Sequence, residues 1–107
     1  MENNLKKNKT RCTIEDVLDI LGGKWAMSII YVLYEGKMRF KEIERAVPNI
    51  NTRMLVKELK NMEANKILTR KVFATVPATV EYELTEKGRK LQPIINDLIE
   101  WGHEFID

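Results

Sequence analysis

The spacing of apolar positions changes along the chain, and each change marks an element. Ile14, Val17, Leu18 and Leu21 recur at helical spacing, with Thr13 as N-cap and Asp16 completing part of a capping box. Gly22-Gly23 ends that helix. From about Lys24 to Tyr34 the side chains of Trp25, Met27, Ile29, Ile30, Val32 and Leu33 cover most of a circumference, which predicts a central buried helix with Gly36 beyond its end. Met38-Arg39 is too short to assign. Phe40, Ile43 and Val47 oppose Lys41, Glu42, Glu44 and Arg45, predicting a short amphipathic helix that Pro48 stops. Asn51 then caps a longer helix reaching about Ala64.

Beyond that helix the period falls to two. A strand is predicted around Ile67 to Phe73, then a loop holding Pro77, then a return strand in which Val80, Tyr82 and Leu84 alternate with Glu81 and Glu83. The outgoing strand alternates less clearly, so which of Thr69, Arg70 and Lys71 faces outward stays open. Thr85 offers an N-cap for a last helical stretch, which Pro93 kinks or restarts at a first turn. Two helices joined by a tight polar turn and followed directly by a hairpin predict an α+β, mainly α, winged helix-turn-helix with a two- to three-stranded wing. The expected layout is a flexible basic arm over 1–11 and a single domain over 12–107. Within it lie a recognition helix at about 51–64, a wing at about 67–85 and a C-terminal dimerisation helix at about 86–106.

The net charge is only +2, from 18 basic and 16 acidic side chains, so placement rather than total charge must identify a partner. At about 100° per residue, Arg53, Lys57 and Lys60 fall within about 60° of one another, nearly opposite Leu55, Leu59 and Met62. Such a helix buries one edge and offers a basic one to the major groove of double-stranded DNA. Asn51 and Thr52 at its start are placed to reach base edges or backbone. Arg39, Lys41, Lys66, Arg70 and Lys71 add candidate phosphate contacts, while acidic residues such as Asp97, Glu100 and Glu104 gather elsewhere. The alternative is a winged helix used only as a protein–protein interaction module, which has no need of a positive face on this helix.

The runs Leu21-Gly22-Gly23-Lys24-Trp25, Met38-Arg39-Phe40, Asn51-Thr52-Arg53-Met54-Leu55, Val80-Glu81-Tyr82-Glu83-Leu84-Thr85, Gly88 and Trp101-Gly102 resemble the HxlR-type winged-helix regulators, relatives of the MarR group. The resemblance extends from about Cys12 to Trp101. It implies a homodimer held by N- and C-terminal dimerisation helices and binding to inverted-repeat operators as a transcription regulator. The chain departs from the family at the wing, where Thr79 stands for a usual basic residue and Ala74 to Thr79 carry no charge. In the turn before the recognition helix, Pro48-Asn49 replaces Pro-Gly.

Three further features change the picture. Ile94, Ile95, Leu98, Trp101 and Phe105 belong to a C-terminal apolar surface broader than one small core needs, and a second copy is the economical cover. Cys12, the single cysteine, sits beside Arg11 and just before a helix start, a setting that suits a redox- or electrophile-sensing thiol, as in some members of the resembling family. Its other reading is a small, inert, half-buried hydrophobe. His103 has no metal-ligand set around it, and no nucleophile–base pair or phosphate-cradling loop occurs, so neither an enzyme nor a metal or other cofactor is expected. Trp25 to Tyr34 is about half the roughly 20 apolar residues a membrane span needs. No secretory pattern follows Lys6, Lys7, Lys9 and Arg11, so a cytoplasmic protein is expected.

Overall fold

The computed structural model describes residues 11–106, so the arm expected over 1–11 lies, but for Arg11, outside the described residues. Helix α1 spans Ile14–Leu21. Its capping box closes in both directions: Thr13 Oγ1 accepts from the Asp16 amide at 3.2 Å, and Asp16 Oδ2 accepts from the Thr13 amide at 2.9 Å. Helix α2, Ala26–Leu33, starts two residues later than expected, because the chain turns through Gly22 to Trp25 before helical bonding resumes. It buries Ala26, Ile29, Ile30 and Leu33 almost completely and is the central helix.

Helix α3, Phe40–Ala46, and helix α4, Thr52–Ala64, form the helix-turn-helix. The turn between them needs a left-handed residue, and Asn49 supplies it at φ 69°. Asn51 Oδ1 accepts from the Met54 amide at 2.8 Å and caps α4. At the other end of α4 the Ile67 amide donates to the Met62 carbonyl at 2.9 Å and the Lys66 amide to the Glu63 carbonyl at 3.0 Å. This is a Schellman ending, with Lys66 in the left-handed position at φ 61° where glycine is usual.

Met38-Arg39 forms a short strand, β1, that pairs antiparallel with the wing. The hairpin consists of β2, Leu68–Phe73, and β3, Thr79–Leu84, so the sheet has three strands in the order β1-β3-β2. Helix α5, Glu86–Arg89, is capped by Thr85, whose Oγ1 accepts from the Gly88 amide at 3.1 Å and donates to the Lys66 carbonyl at 2.7 Å. Gly88 is required there, since a β-carbon would stand 2.2 Å from the Ile67 carbonyl oxygen. The final stretch is two helices: α6 runs Gln92–Phe105 with Pro93 in its first turn, where a missing amide costs nothing. Tyr34, just past α2, donates its hydroxyl to the Arg89 carbonyl and so ties the central helix to the α5–α6 joint.

One apolar cluster joins these elements: Ile29, Ile30 and Leu33 from α2, Ile43 and Val47 around α3, Leu55, Leu59 and Met62 from α4, Leu68, Tyr82 and Leu84 from the sheet, and Ile95 from α6. Each fully buried aliphatic side chain contributes about 1.5–3 kcal/mol relative to exposure. No described helix is long and apolar enough to cross a membrane.

Candidate nucleic-acid interface

Helix α4 is divided lengthwise. Leu55, Leu59 and Met62 are at most 2% exposed and lock it to the core, while Arg53, Lys57 and Lys60 project from the opposite edge into solvent. The ion pairs among the described residues are Lys37–Glu81, Lys41–Glu44 and Arg89–Glu83, so none of them neutralises the α4 cations. The basic edge is thus exposed and outside those ion pairs, on a helix whose other side is immobilised by packing.

The sheet sorts the remaining basic residues. Arg70 pairs across β2 and β3 with the buried Tyr82, which places it on the face turned toward α4. There it lines a cleft with Val56, Lys60 and Glu63. Lys71 pairs with Glu81 on the opposite face, its Nζ 5.4 Å from the centroid of the Phe73 ring, and Arg39 pairs with Glu81 from the other side. Only Arg70 of the wing therefore joins the α4 cations; Arg39 and Lys71 form a separate exposed group around Glu81. Lys41 is exposed on α3, 3.7 Å from Glu44, a solvent-screened pair worth little. The wing tip, residues 74–78, is exposed and uncharged.

Thr52, expected at the groove edge, is exposed but not unattached: its Oγ1 donates to Glu44 Oε2 at 2.5 Å across the helix-turn-helix turn. Asn51 spends its carbonyl oxygen on the α4 cap. Val56 was not among the expected contacts, yet it is 39% exposed on the basic side of the helix. Its position, three residues after Arg53 and four before Lys60, carried that signal.

Apolar side chains also stay exposed on both terminal helices: Ile14 and Leu18 of α1, and Ile94, Leu98, Trp101 and Phe105 of α6, are all at least half exposed, and the Trp101 and Phe105 rings lie 5.5 Å apart. Ile95 is a correction to the expected dimer set: it is 5% exposed and belongs to the core of the single chain. It points away from its neighbour Ile94 because consecutive helical residues differ by about 100°. Cys12 is exposed immediately before α1, and His103 is exposed near the end of α6. Among the described residues no group of three or more His, Cys, Asp or Glu side chains is placed to hold a metal ion.

Comparison with known proteins agrees with this geometry. The HxlR-like helix-turn-helix family matches residues 20–107. The uncharacterized HTH-type transcriptional regulator YybR of Bacillus subtilis (strain 168) is 45% identical over 104 residues, covering 97% of this chain and 83% of its own. The redox regulator HypR, solved in its oxidized form, is 45% identical with a TM-score of 0.83 over 90% of this chain and 99% of that one. The transcriptional regulator YodB of B. subtilis in its reduced form is 39% identical with a TM-score of 0.79, covering 91% of this chain and 96% of its own. YodB has also been solved diamide-treated and quinone-bound. With the family match spanning most of the chain and the winged helix-turn-helix in place, this protein belongs to the HxlR-like helix-turn-helix family, which comprises transcriptional regulators and not enzymes.

Proposed function

We propose that the protein binds inverted-repeat operator DNA as a homodimer in the cytoplasm and regulates transcription there. The observation that carries this reading is α4, whose apolar edge is buried while Arg53, Lys57 and Lys60 stand exposed and outside the ion pairs of the described residues. A helix of this kind fits the major groove, with Arg70 of the wing and Arg39, Lys41 and Lys71 available to flanking phosphates. The exposed apolar side chains of α1 and α6 support dimerisation, since burial against a second copy removes them from water and gives the two recognition helices the twofold relation of an inverted repeat. Affinity for random duplex DNA should then fall steeply with salt, with a log–log slope of about −0.9 per phosphate contacted. A flat salt dependence would overturn the reading and favour a protein-binding winged helix.

The same reading includes a response to oxidants or electrophiles through Cys12. Support comes from the exposure of Cys12 ahead of α1, and from the similarity of the whole chain to HypR, named a redox regulator, and to YodB, solved diamide-treated and quinone-bound. Diamide or a quinone should change operator affinity, and Cys12→Ser should abolish the change. An unchanged wild-type gel shift would end this part of the proposal.

A further inference from the structure

The hydroxyl of Thr52 is committed. A threonine hydroxyl has one hydrogen to donate and two lone pairs to accept with, and a carboxylate only accepts. The 2.5 Å contact with Glu44 Oε2 therefore consumes the Thr52 proton and leaves Thr52 an acceptor toward anything outside. Glu44 is held for this role: its side chain is only 21% exposed, and Lys41 Nζ lies 3.7 Å from its other oxygen. Phosphate oxygens and the N7 and O6 atoms of guanine are acceptors and find no donor at Thr52. The nearby carboxylate also repels a phosphate. What fits is an exocyclic amino group, which the major groove displays on adenine and cytosine.

One turn further along α4, at i+4 from Thr52, stands Val56, an apolar side chain 39% exposed beside Arg53 and Lys60. Burying its methyl groups against another apolar group is favourable, and the major groove has one such group, the 5-methyl of thymine. An A·T pair is the base pair that displays an amino group and a methyl group together in that groove. Resting on the DNA-binding reading above, we propose that the Thr52–Val56 edge of α4 reads A·T pairs. Thr52 Oγ1 accepts from the adenine 6-amino group, Val56 packs on the thymine methyl, and Glu44 acts as a positioning residue that fixes Thr52 as an acceptor.

The test uses duplexes that the wild-type protein selects from a random-sequence pool. Each thymine is replaced in turn by uracil, which lacks the methyl, and each adenine by purine, which lacks the amino group. Wild type should lose about fourfold in affinity at one uracil position per half-site, the value of one buried methyl group. It should lose about tenfold at one purine position, where Thr52 is left without a donor. Val56→Ala should bind more weakly and become indifferent to uracil. Thr52→Val should become indifferent to purine, Thr52→Ser should keep the sensitivity, and Glu44→Gln should blunt it. Any weakening of the duplex itself is common to all variants and cancels. Salt slopes should match wild type for the Thr52 and Val56 variants, because no phosphate contact is removed. If Val56→Ala and Thr52→Val keep wild-type sensitivity, or Thr52→Val lowers the salt slope, the proposal is overturned while DNA binding stands. If wild type enriches no duplex and its binding ignores salt, both readings fall.

Discussion

Helices α4 and α6 are nearly equal in length, 13 and 14 residues, and both are amphipathic, yet they are finished differently. The Leu55, Leu59 and Met62 edge of α4 is covered by its own chain, so what the helix offers outward is chiefly charge, with Val56 beside it. On α6 only Ile95 is buried, while Ile94, Leu98, Trp101 and Phe105 stay 50–63% exposed, so what it offers outward is apolar surface. A cationic edge on an immobilised helix suits a polyanion; an apolar edge left in water suits another apolar edge. The contrast is the physical ground for proposing different kinds of partner for the two helices.

Breaking the α6 side should have the largest effect. Leu98→Glu with Trp101→Glu would put charges into the proposed dimer interface at a cost on the order of 3–5 kcal/mol, more than a hundredfold in dimer affinity. Sedimentation should then find folded monomer, and a dimer of wild-type affinity would contradict the assignment of α6. Leu55→Ala attacks the covered edge of α4 instead and should cost about 2–5 kcal/mol of stability. That loss should be the same in dilute and concentrated protein, whereas Leu98→Ala should show a loss that grows where dimer dominates, as checked by thermal melts over a range of concentrations.

A smaller effect is expected at Tyr34, which ties the central helix α2 to the α5–α6 joint. Burial of Tyr34 pushes its phenol above the usual 10.0, outweighing the opposing pull of Arg89, so the folded state favours the neutral form. That contribution is therefore full below about pH 10 and is lost as pH rises through the raised value. Tyr34→Phe removes the hydroxyl that donates to Arg89 and should cost about 1 kcal/mol at neutral pH. It should also flatten the alkaline fall in stability relative to wild type. The smallest expected change is a gain: Lys66→Gly relieves the left-handed residue at the end of α4 and should stabilise by about 0.5–1 kcal/mol in denaturant melts.

Local chemistry was the legible part of this sequence. Thr13, Asn51 and Thr85 act as the caps their residue types announced, and Asn49 takes the left-handed turn that replaced glycine. Strand β1 was not legible, because two residues carry no period and their partners, Glu81 and Tyr82, lie more than 40 positions away. The faces of Arg70 and Lys71 could not be separated either, since β2 presents exposed side chains on both faces and only its register against Tyr82 and Glu81 tells them apart. Periodicity marked α6 as broadly apolar but could not divide Ile94 from Ile95, as that depends on where α2 sits. The bond from Thr52 to Glu44 spans the turn between two helices, and a list of exposed polar residues holds no trace of it.

The most direct test of the account is the double charge reversal Arg53→Glu and Lys57→Glu, followed by duplex affinity and thermal stability on the same sample. Affinity for duplex DNA should drop by more than about a hundredfold, since two cationic contacts become repulsive, while the melting temperature stays within a few degrees of wild type. A folded double variant that binds duplex as tightly as wild type would contradict the central claim.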